Sequence, residues 1–345
     1  MAERKLKLGI LGLGRSGWNI HARAMMENDK YTVAAVADPV EERRQEAIDT
    51  FGCKAYDDPQ GVIDDPDVEV VVVATPSHTH APLALEALSK GKHVVVEKPM
   101  AEKVSDIDAM IARAKEVGRV VTCYQPRRFD AEFKAIRSLI ESGRLGRIVL
   151  IRRTMHTFQR RADWQMLRKY GGGELSNTGP HLIDQVLELL GEGELEIFAD
   201  LQHTVGAGDA EDHVKVVLKH ESGTVADIEI TRCSAFAQAP WFIMGTQGAV
   251  EGDTRRLKVK WYDPSTLPEL VLDEGPARGR QYGTGETIEW HEEELELVTR
   301  PGQAIQYYDA LYETLVNGAP LAVTPESIRR QIEVIDRARR IANFL

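Results

Sequence analysis

Cysteine is scarce in this chain of 345 residues, and its three occurrences lie far apart. Cys53, Cys123 and Cys233 form no Cys-x-x-Cys pair, which is the spacing that many zinc sites use. The pattern therefore predicts neither a zinc cluster nor a dense disulfide framework, and a reducing cytoplasm is the expected location. No metal site is predicted, because the histidines and carboxylates also lack a compact ligand spacing such as His-x-x-x-His.

The chain also lacks long apolar runs and has fewer basic than acidic residues. No stretch reaches the roughly 18 apolar residues that a membrane span needs, and residues 1–5 lead straight into a predicted strand rather than a signal peptide. The 43 basic residues are outnumbered by 54 acidic ones, which gives a formal net charge of -11. Because this charge repels phosphate backbones and anionic membranes, we expect a cytoplasmic protein that binds neither nucleic acid nor membranes.

The first third of the chain alternates short β-branched runs with helical stretches. This alternation is typical of parallel strands joined by crossover helices. The predicted strands cover residues 7–11, 32–37, 68–74, 93–97 and 120–123. The predicted helices between them cover residues 41–50, 82–89 and 107–117. We therefore predict a doubly wound α/β domain at residues 1–123.

The alternation ends after residue 123. A helix at 130–142, a strand at 148–155 and a helix at 181–190 are followed by a long series of strands and turns. These predicted strands cover residues 196–199, 214–219, 225–231, 242–245, 258–262 and 287–290. Consecutive strands without intervening helices predict an antiparallel sheet, so residues 124–345 should form an α+β domain. Two helices, at about 303–315 and 326–343, end the chain, and we expect the last one to pack back on the first domain.

A glycine-rich turn follows the first predicted strand and opens the first helix. Gly12 permits a tight turn, Gly14 lets a pyrophosphate approach the backbone, and Gly17 allows helix and strand to pack closely. Free N–H groups at the helix N-terminus then face the phosphates. The cofactor-binding residues expected here are Gly12, Leu13, Gly14, Arg15, Ser16 and Gly17. The turn therefore predicts a nicotinamide dinucleotide site.

Asp38 ends the second predicted strand, 21 positions after Gly17. An acidic residue about 20 positions beyond such a turn binds the ribose hydroxyls in dinucleotide sites. Its charge should repel the 2′-phosphate of NADP, and this favours NAD as the cofactor. Arg43 and Arg44 lie near in sequence and keep NADP as the alternative.

Several further motifs, spread over essentially the whole chain, carry a family resemblance. They are Thr75-Pro76-Ser77-His78-Thr79-His80, Glu97-Lys98-Pro99, Arg127-Arg128-Phe129-Asp130, the three glycines at 171–173 with Asn177, His181 and Asp184, and Val323-Thr324-Pro325-Glu326. In this order they resemble the glucose-fructose oxidoreductase and inositol dehydrogenase (Gfo/Idh/MocA) family of NAD(P)-dependent oxidoreductases. The resemblance implies a Rossmann domain followed by an α+β domain with a large, open-faced, mostly antiparallel sheet. The outer face of that sheet commonly joins subunits, so a homodimer or homotetramer is expected.

The resemblance also implies the reacting groups. Lys98 corresponds to the family's catalytic lysine beside the nicotinamide, and His181 to its catalytic histidine, whose ordinary pKa near 6.5 suits proton transfer. Oxidising a carbinol requires such a polarising cation and a base at one oxygen. Asn177 stands where the family most often has Asp. Because an amide can position a hydroxyl but cannot carry its proton, we expect Asn177 to position and the other two to handle the proton.

The remaining expected site residues follow from the same resemblance. Those expected to contact the cofactor, besides the glycine turn and Asp38, are Thr75, Pro76, Ser77, His80, Glu97 and Lys98. Those expected in the substrate pocket are Asp184, Arg127, Arg128, His156 and Trp164. The two adjacent arginines would also suit an anionic substrate such as a nucleotide sugar or a sugar acid.

The expected function is that of an NAD(P)-dependent dehydrogenase acting on a secondary alcohol of a cyclic polyol or sugar, of inositol or aldose type. Two alternatives stay open. One is a dehydrogenase of a nucleotide-linked sugar or a diol, and the other is a non-catalytic dinucleotide sensor that regulates transcription through another protein. The presence of both Lys98 and His181 favours an enzyme.

Overall fold

The computed structural model of the chain describes residues 4–272, 274–275, 286–298 and 302–344. Its first sheet is parallel and has the spatial order β3-β2-β1-β4-β5-β6. The strands are β1 (Leu6–Leu11), β2 (Tyr31–Ala37), β3 (Lys54–Tyr56), β4 (Val70–Val73), β5 (His93–Val96) and β6 (Val121–Cys123). The order reverses between β1 and β4, which is where ligands of doubly wound sheets bind. The predicted Rossmann-type fold is confirmed.

Helices cover both faces of this sheet, and the central strands are accordingly apolar. Every residue of β4 is a fully buried valine, as expected for a parallel strand that is covered on both sides. A π-helical segment, Gly17–Ala22, leads into the first α-helix. The α-helices are α1 (Arg23–Glu27), α2 (Glu41–Phe51), α3 (Pro59–Asp64), α4 (His80–Ser89) and α5 (Val104–Val117).

A second sheet of eight strands follows, with the order β14-β13-β12-β11-β7-β10-β9-β8. The strands are β7 (Ile148–His156), β8 (Leu195–Gln202), β9 (His213–His220), β10 (Val225–Thr231), β11 (Trp241–Gly245), β12 (Gly248–Gly252), β13 (Arg256–Trp261) and β14 (His291–Glu296). Only the central pair β7 and β10 is parallel; the other neighbouring strands described are antiparallel. The predicted mostly antiparallel sheet is confirmed.

The strand predicted at residues 287–290 is wrong. The last strand begins at His291 and consists of the acidic run that follows. Its carboxylates pair with basic side chains of β13: Lys260 lies 2.6 Å from Glu292, and Arg256 lies 2.6 Å from Glu294. Opposite charges across an antiparallel pair stabilise the pairing. This charge pattern becomes visible only when β13 and β14 are compared with each other. It agrees with the observed position of the edge strand.

Five helices accompany the second sheet, and the last two also reach the first domain. They are α6 (Ala131–Glu141), α7 (Glu174–Asn177), α8 (Gly179–Leu190), α9 (Gln303–Asn317) and α10 (Pro325–Ile341). From α9, the buried Tyr308 accepts a hydrogen bond at its carbonyl from the Tyr31 hydroxyl of β2. From α10, Arg329 pairs with Asp108 of α5. Among the helices of the described ranges, none has the length and apolar content of a membrane crossing.

A buried ion pair joins the segment between the two sheets to α8. Arg128, in the 3-10 turn Pro126–Phe129, donates from Nε and Nη2 to both carboxylate oxygens of Asp184, at 2.8 and 2.6 Å. The two side chains are only 7% and 2% exposed. Arg128 also donates to the Ala322 carbonyl and the Ser327 hydroxyl near the start of α10. The pair therefore holds three parts of the fold together.

The ion pair engages two residues that are expected in the substrate pocket. Asp184 and Arg128 were both expected in the substrate pocket, but their polar atoms are engaged with each other and with the C-terminal segment. A carboxylate that already accepts two guanidinium hydrogen bonds in a buried position has little capacity left for a sugar hydroxyl. Both residues therefore stabilise the fold, and their contact with a substrate stays a prediction.

We predict that Asp184→Asn lowers the free energy of unfolding by about 3 kcal/mol or more, because the Arg128 charge then stays buried without its carboxylate. Urea unfolding followed by tryptophan fluorescence measures the change. The matched control is Asp108→Asn, which breaks an exposed ion pair with Arg329 and should cost less than about 1 kcal/mol. Equal losses in the two variants would contradict the structural role of Asp184.

Candidate active site

The glycine turn after β1 has the backbone geometry that its sequence requires. Gly12 has a φ of +85°, and a Cβ added there would lie 2.8 Å from the Ala74 carbonyl oxygen. A Cβ on Gly17 would lie 1.8 Å from the Gly12 oxygen, so neither position admits a side chain. A Cβ on Gly14 would meet nothing within 4 Å. The backbone at Gly14 is therefore accessible to a pyrophosphate.

The Asp38 carboxylate ties the end of β2 to this turn. One of its oxygens accepts a hydrogen bond from the Leu13 N–H at 2.7 Å, and the other accepts from the Val40 N–H at 2.9 Å. The Arg43 guanidinium lies 3.4 Å from the carboxylate, and Arg44 donates to the Asp38 carbonyl. This arrangement of glycine turn, Asp38 carboxylate and helix N-terminus fits a dinucleotide. The carboxylate lies where a ribose would bind, and the guanidinium groups of Arg43 and Arg44 lie beside the carboxylate.

The loop after β4 contributes less to the groove than expected. His80 is 1% exposed, and its two ring nitrogens lie 2.8 Å from the carbonyl oxygens of Thr75 and Pro99. It therefore braces two loops, and its contact with the cofactor stays a prediction. Thr75 bonds Thr79 through its hydroxyl at 2.6 Å. Ser77 lines the cavity described below, whereas Pro76 precedes the 3-10 turn Ser77–Thr79.

Glu97, which is also expected at the cofactor, supports Lys98. Its side chain is 7% exposed and lies 3.1 Å from His21 Nε2, while its other oxygen accepts from the Lys98 N–H at 3.0 Å. His21 Nδ1 in turn lies 2.7 Å from the Tyr308 hydroxyl. Burial opposes ionisation of Glu97, but the His21 contact and the Lys98 charge hold its pKa below the usual range.

Lys98 meets the second domain at Asn177. Its ammonium donates to the Asn177 carbonyl oxygen at 3.1 Å and to the Asn177 Oδ1 at 3.3 Å. The Lys98–Pro99 peptide bond, just past β5, is cis. Burial, with the charges of Arg15 and Arg127, lowers the pKa of Lys98, while the Glu97 carboxylate opposes the shift. Lys98 is therefore a largely buried cation held by neutral oxygens.

His181 stands in the first turn of α8 with a defined hydrogen-bond partner. Its Nδ1 lies 3.1 Å from Oε1 of Gln125, which is fully buried and donates through Nε2 to the Pro180 carbonyl at 3.1 Å. Because a carbonyl can only accept a hydrogen bond, the Gln125 Nε2 must be the atom beside Pro180. The Oε1 of the same amide therefore faces the His181 ring. Nδ1 of His181 therefore carries the proton, and Nε2 of the neutral ring keeps its lone pair.

The surroundings of His181 keep it neutral. Burial, followed by the charges of Arg127, Lys98 and Arg153, lowers its pKa well below the ordinary value of 6.5. Desolvation and nearby like charge both disfavour the imidazolium. At neutral pH the site therefore pairs a cation, Lys98, with a proton acceptor that is ready to act.

Two amide side chains in this network carried no signal in the sequence. Gln125 orients His181, and Gln165 donates to the Asn177 Oδ1 at 3.3 Å, beside the Lys98 contact. Neither side chain has a charge or belongs to a ligand-spacing pattern, so only the three-dimensional contacts reveal them. Asn177 is placed to aim Lys98, and this agrees with its expected positioning role.

A cavity of about 700 Å³ has Lys98, Asn177 and Trp164 in its lining, whereas His181 is not one of its lining residues. Trp164 is 59% exposed at the rim. His156 does not share this surface: its Nε2 lies 2.9 Å from Glu229 on β10, and its Nδ1 accepts from the Gln238 N–H. His156 therefore has contacts within the second sheet, and its contact with a substrate stays a prediction.

Known proteins resemble the chain over both domains. Residues 6–125 match the oxidoreductase family with an NAD-binding Rossmann fold, and residues 133–251 match the GFO/IDH/MocA C-terminal domain. Myo-inositol 2-dehydrogenase of Thermotoga maritima is 30% identical over 283 residues, which is 80% of this chain and 81% of that protein. The scyllo-inositol 2-dehydrogenase (NADP(+)) of Bacillus subtilis is 25% identical over 348 residues, covering 96% and 92% of the two chains.

The fold is shared with solved structures as well. The aldose-aldose oxidoreductase of Caulobacter crescentus, complexed with glycerol, superposes with a TM-score of 0.80 at 24% identity. The match covers 99% of this chain and 98% of that one. Both the Rossmann-type sheet and the large second sheet therefore belong to one known architecture.

We predict that Gln125→Glu raises the pKa of His181, because a carboxylate beside Nδ1 stabilises the imidazolium. Nitrogen-15 NMR of the imidazole rings measures both the tautomer and the titration. The wild-type protein should show a neutral His181 with the proton on Nδ1 at pH 6, and Gln125→Leu should remove the preference for that tautomer. A wild-type ring that carries its proton on Nε2 would contradict the proposed orientation.

Proposed function

Since this chain belongs to the Gfo/Idh/MocA family of NAD(P)-dependent oxidoreductases, we propose that it transfers a hydride between a nicotinamide and a secondary alcohol of a cyclic polyol or sugar. The observation that carries this proposal is the contact of Lys98, just past β5, with both oxygens of Asn177, four residues before His181 at the start of α8. The inositol dehydrogenases among the relatives support an inositol or aldose type of substrate.

The two side chains have complementary roles in the proposed reaction. A bound nicotinamide supplies the hydride acceptor in the oxidation direction. His181 takes the hydroxyl proton on Nε2 while the Lys98 ammonium stabilises the negative charge that develops on the same oxygen. Asn177 aims the ammonium through its two oxygens. Gln125 keeps the proton on Nδ1 of His181, so that the accepting nitrogen faces the substrate.

The open face of the second sheet supports the proposal of a homodimer or homotetramer. Helices α8 and α10 lie against one face, where Val214, Val216 and Leu218 of β9 are fully buried. The opposite face carries alternating residues such as Phe198, which is 58% exposed, and Met244, which is 39% exposed. A wide sheet face with exposed large apolar side chains is typical of a surface that another subunit covers.

We predict that Lys98→Met lowers kcat by about 100-fold or more, because the charge developing on the reacting oxygen loses its cation. NADH absorbance with a panel of inositols and aldoses measures turnover, and NADH fluorescence should show cofactor binding within about threefold of wild type. Lys115→Met, on the exposed end of α5, is the matched control and should retain full activity. Equal turnover of the two variants would contradict the catalytic role of Lys98.

The same assay yields a pH dependence. Oxidation requires neutral His181, so kcat/KM should fall only when the pH drops through its lowered pKa, and activity should persist under mildly acidic conditions.

We predict that Asp38→Asn lowers the ratio of the NADPH to the NADH dissociation constant by about tenfold, because it removes the charge that repels a 2′-phosphate beside Arg43 and Arg44. The amide oxygen can still accept the hydrogen bond from the Leu13 N–H, whereas the Val40 N–H loses its acceptor. Fluorescence titration with both reduced cofactors measures the ratio, and Asp29→Asn, on an exposed loop, is the control. If the ratio is the same in wild type and Asp38→Asn, Asp38 does not contribute to the preference for NADH over NADPH.

A further inference from the structure

His21 is a fully buried histidine whose two ring nitrogens both have a partner. It lies in the π-helical segment Gly17–Ala22, at the glycine turn. Its Nδ1 lies 2.7 Å from the Tyr308 hydroxyl of α9, and its Nε2 lies 3.1 Å from Oε1 of Glu97. Segments of π-helix are rare in proteins and are often found at functional sites. This one places a polar side chain next to the residue that precedes Lys98.

The direction of each hydrogen bond follows from the chemistry of the groups. Although burial opposes its ionisation, the His21 contact and the Lys98 charge hold the pKa of Glu97 below its usual range. Both Glu97 oxygens therefore accept, and the proton in the contact belongs to Nε2 of His21. Burial raises the pKa of Tyr308 well above its ordinary value, so the phenol keeps its proton and can donate to His21 Nδ1. The three side chains form a hydrogen-bond chain from Tyr308 to Glu97.

This chain ends at the backbone of Lys98. The Glu97 N–H still belongs to the sheet, because it donates to the Val73 carbonyl at 3.0 Å. One residue later, the Lys98 N–H donates to Oε2 of the Glu97 side chain, also at 3.0 Å. From this point the Lys98 side chain extends to the two oxygens of Asn177. A shift of the Glu97 carboxylate would therefore move the backbone from which the ammonium reaches its acceptors.

Stability alone does not explain why these polar groups are buried together. The side chain of Glu97 is 7% exposed and that of His21 is 0% exposed, and the Tyr124 ring lies edge-on to His21 with centroids 4.6 Å apart. Apolar side chains of similar volume often give equal or greater stability at such positions, because desolvation of an ionised carboxylate is costly. A fully hydrogen-bonded buried network instead fixes one arrangement of its members. The chain therefore favours precision at Lys98 over stability.

We propose that His21 and Tyr308 are positioning residues, which act on the reaction through Glu97 and the backbone of Lys98. The inference rests on the proposed dehydrogenase function and adds two residues to it, neither of which lines the cavity. His21 follows the glycine turn and Tyr308 belongs to α9, so segments far apart in the sequence fix the lysine together. Because a displacement of about 1 Å can lower a reaction rate by about 100-fold, a small loosening should be visible in kcat.

Two uncharged variants of His21 separate positioning from packing. His21→Gln keeps an N–H donor that can reach Glu97, whereas His21→Leu removes it. His21→Leu should lower kcat by about 10- to 100-fold, while KM and the dissociation constant of NADH stay within about threefold of wild type. His21→Gln should restore most of kcat. NADH absorbance with the panel of inositols and aldoses measures kcat and KM, and urea unfolding verifies that both variants fold.

A pair of tyrosine variants on α9 tests the far end of the chain. Tyr308→Phe removes the hydroxyl beside His21 and should lower kcat by about 3- to 10-fold, the effect of one lost hydrogen bond. Tyr312→Phe is the matched control on the same helix. It removes a hydroxyl that donates to the Arg4 carbonyl at 2.7 Å, outside the chain, and should leave kcat unchanged.

Amide hydrogen exchange measures the positioning without any turnover. The Lys98 N–H should exchange about tenfold faster or more in His21→Leu and at nearly the wild-type rate in His21→Gln, because only the leucine variant frees the Glu97 carboxylate. The Glu97 N–H, which is bonded to Val73, is the internal reference and should exchange at the same rate in all three proteins. Mass spectrometry with fragmentation to single residues measures both amides.

The inference is overturned if His21→Leu keeps the wild-type kcat, if the two His21 variants lose kcat equally, or if the Glu97 and Lys98 amides lose protection together. Equal losses of kcat in Tyr308→Phe and Tyr312→Phe would overturn the role of Tyr308. If wild-type enzyme turns over no compound of the panel, the proposed function fails and the exchange rates decide the inference alone. Faster exchange of the Lys98 amide in His21→Leu only would then support it, and equal rates in the two His21 variants would contradict it.

Discussion

The contact between the Lys98 ammonium and the two oxygens of Asn177 is the interaction on which the site depends. It joins the end of a Rossmann strand to a short helix of the second domain, and so it determines where the two halves of the site meet. The backbone of Lys98 is held in turn by Glu97, which is anchored through His21. Both Asn177 oxygens that accept from Lys98 are uncharged, and the Glu97 carboxylate is the nearby group that favours the charged form of Lys98.

The same burial that constrains Lys98 sets the chemistry of His181. The same environment lowers the pKa of both groups, and because the ordinary pKa of His181 is already below neutrality, His181 is neutral near pH 7. Active sites that carry out acid and base chemistry near pH 7 commonly hold two titratable groups whose pKa values differ in this way. Gln125 completes the arrangement, because it selects which nitrogen accepts.

The fold and the cofactor turn could be predicted because their signals are local. The spacing of the glycines and the run of valines in β4 each depend on residues that are close together in the sequence. The structure agrees with what both patterns predict. The contacts of other expected site residues could not be predicted, because their partners lie far along the chain. Arg128 and Asp184 are 56 positions apart, and His156 is held by a residue on another strand, so no pattern within one segment shows that they are engaged. Gln125 was missed because a buried amide carries no charge pattern.

The central claim is that Lys98 and His181 converge on one substrate oxygen beside the nicotinamide. A crystal structure of the enzyme with NADH and a bound polyol, sugar or sugar acid tests this most directly. The account predicts one substrate hydroxyl oxygen within about 3.2 Å of both Lys98 Nζ and His181 Nε2, the upper range of a hydrogen bond, with the glycine turn against the pyrophosphate. A bound ligand that contacts only one of the two side chains, or a dinucleotide lying elsewhere, would contradict it.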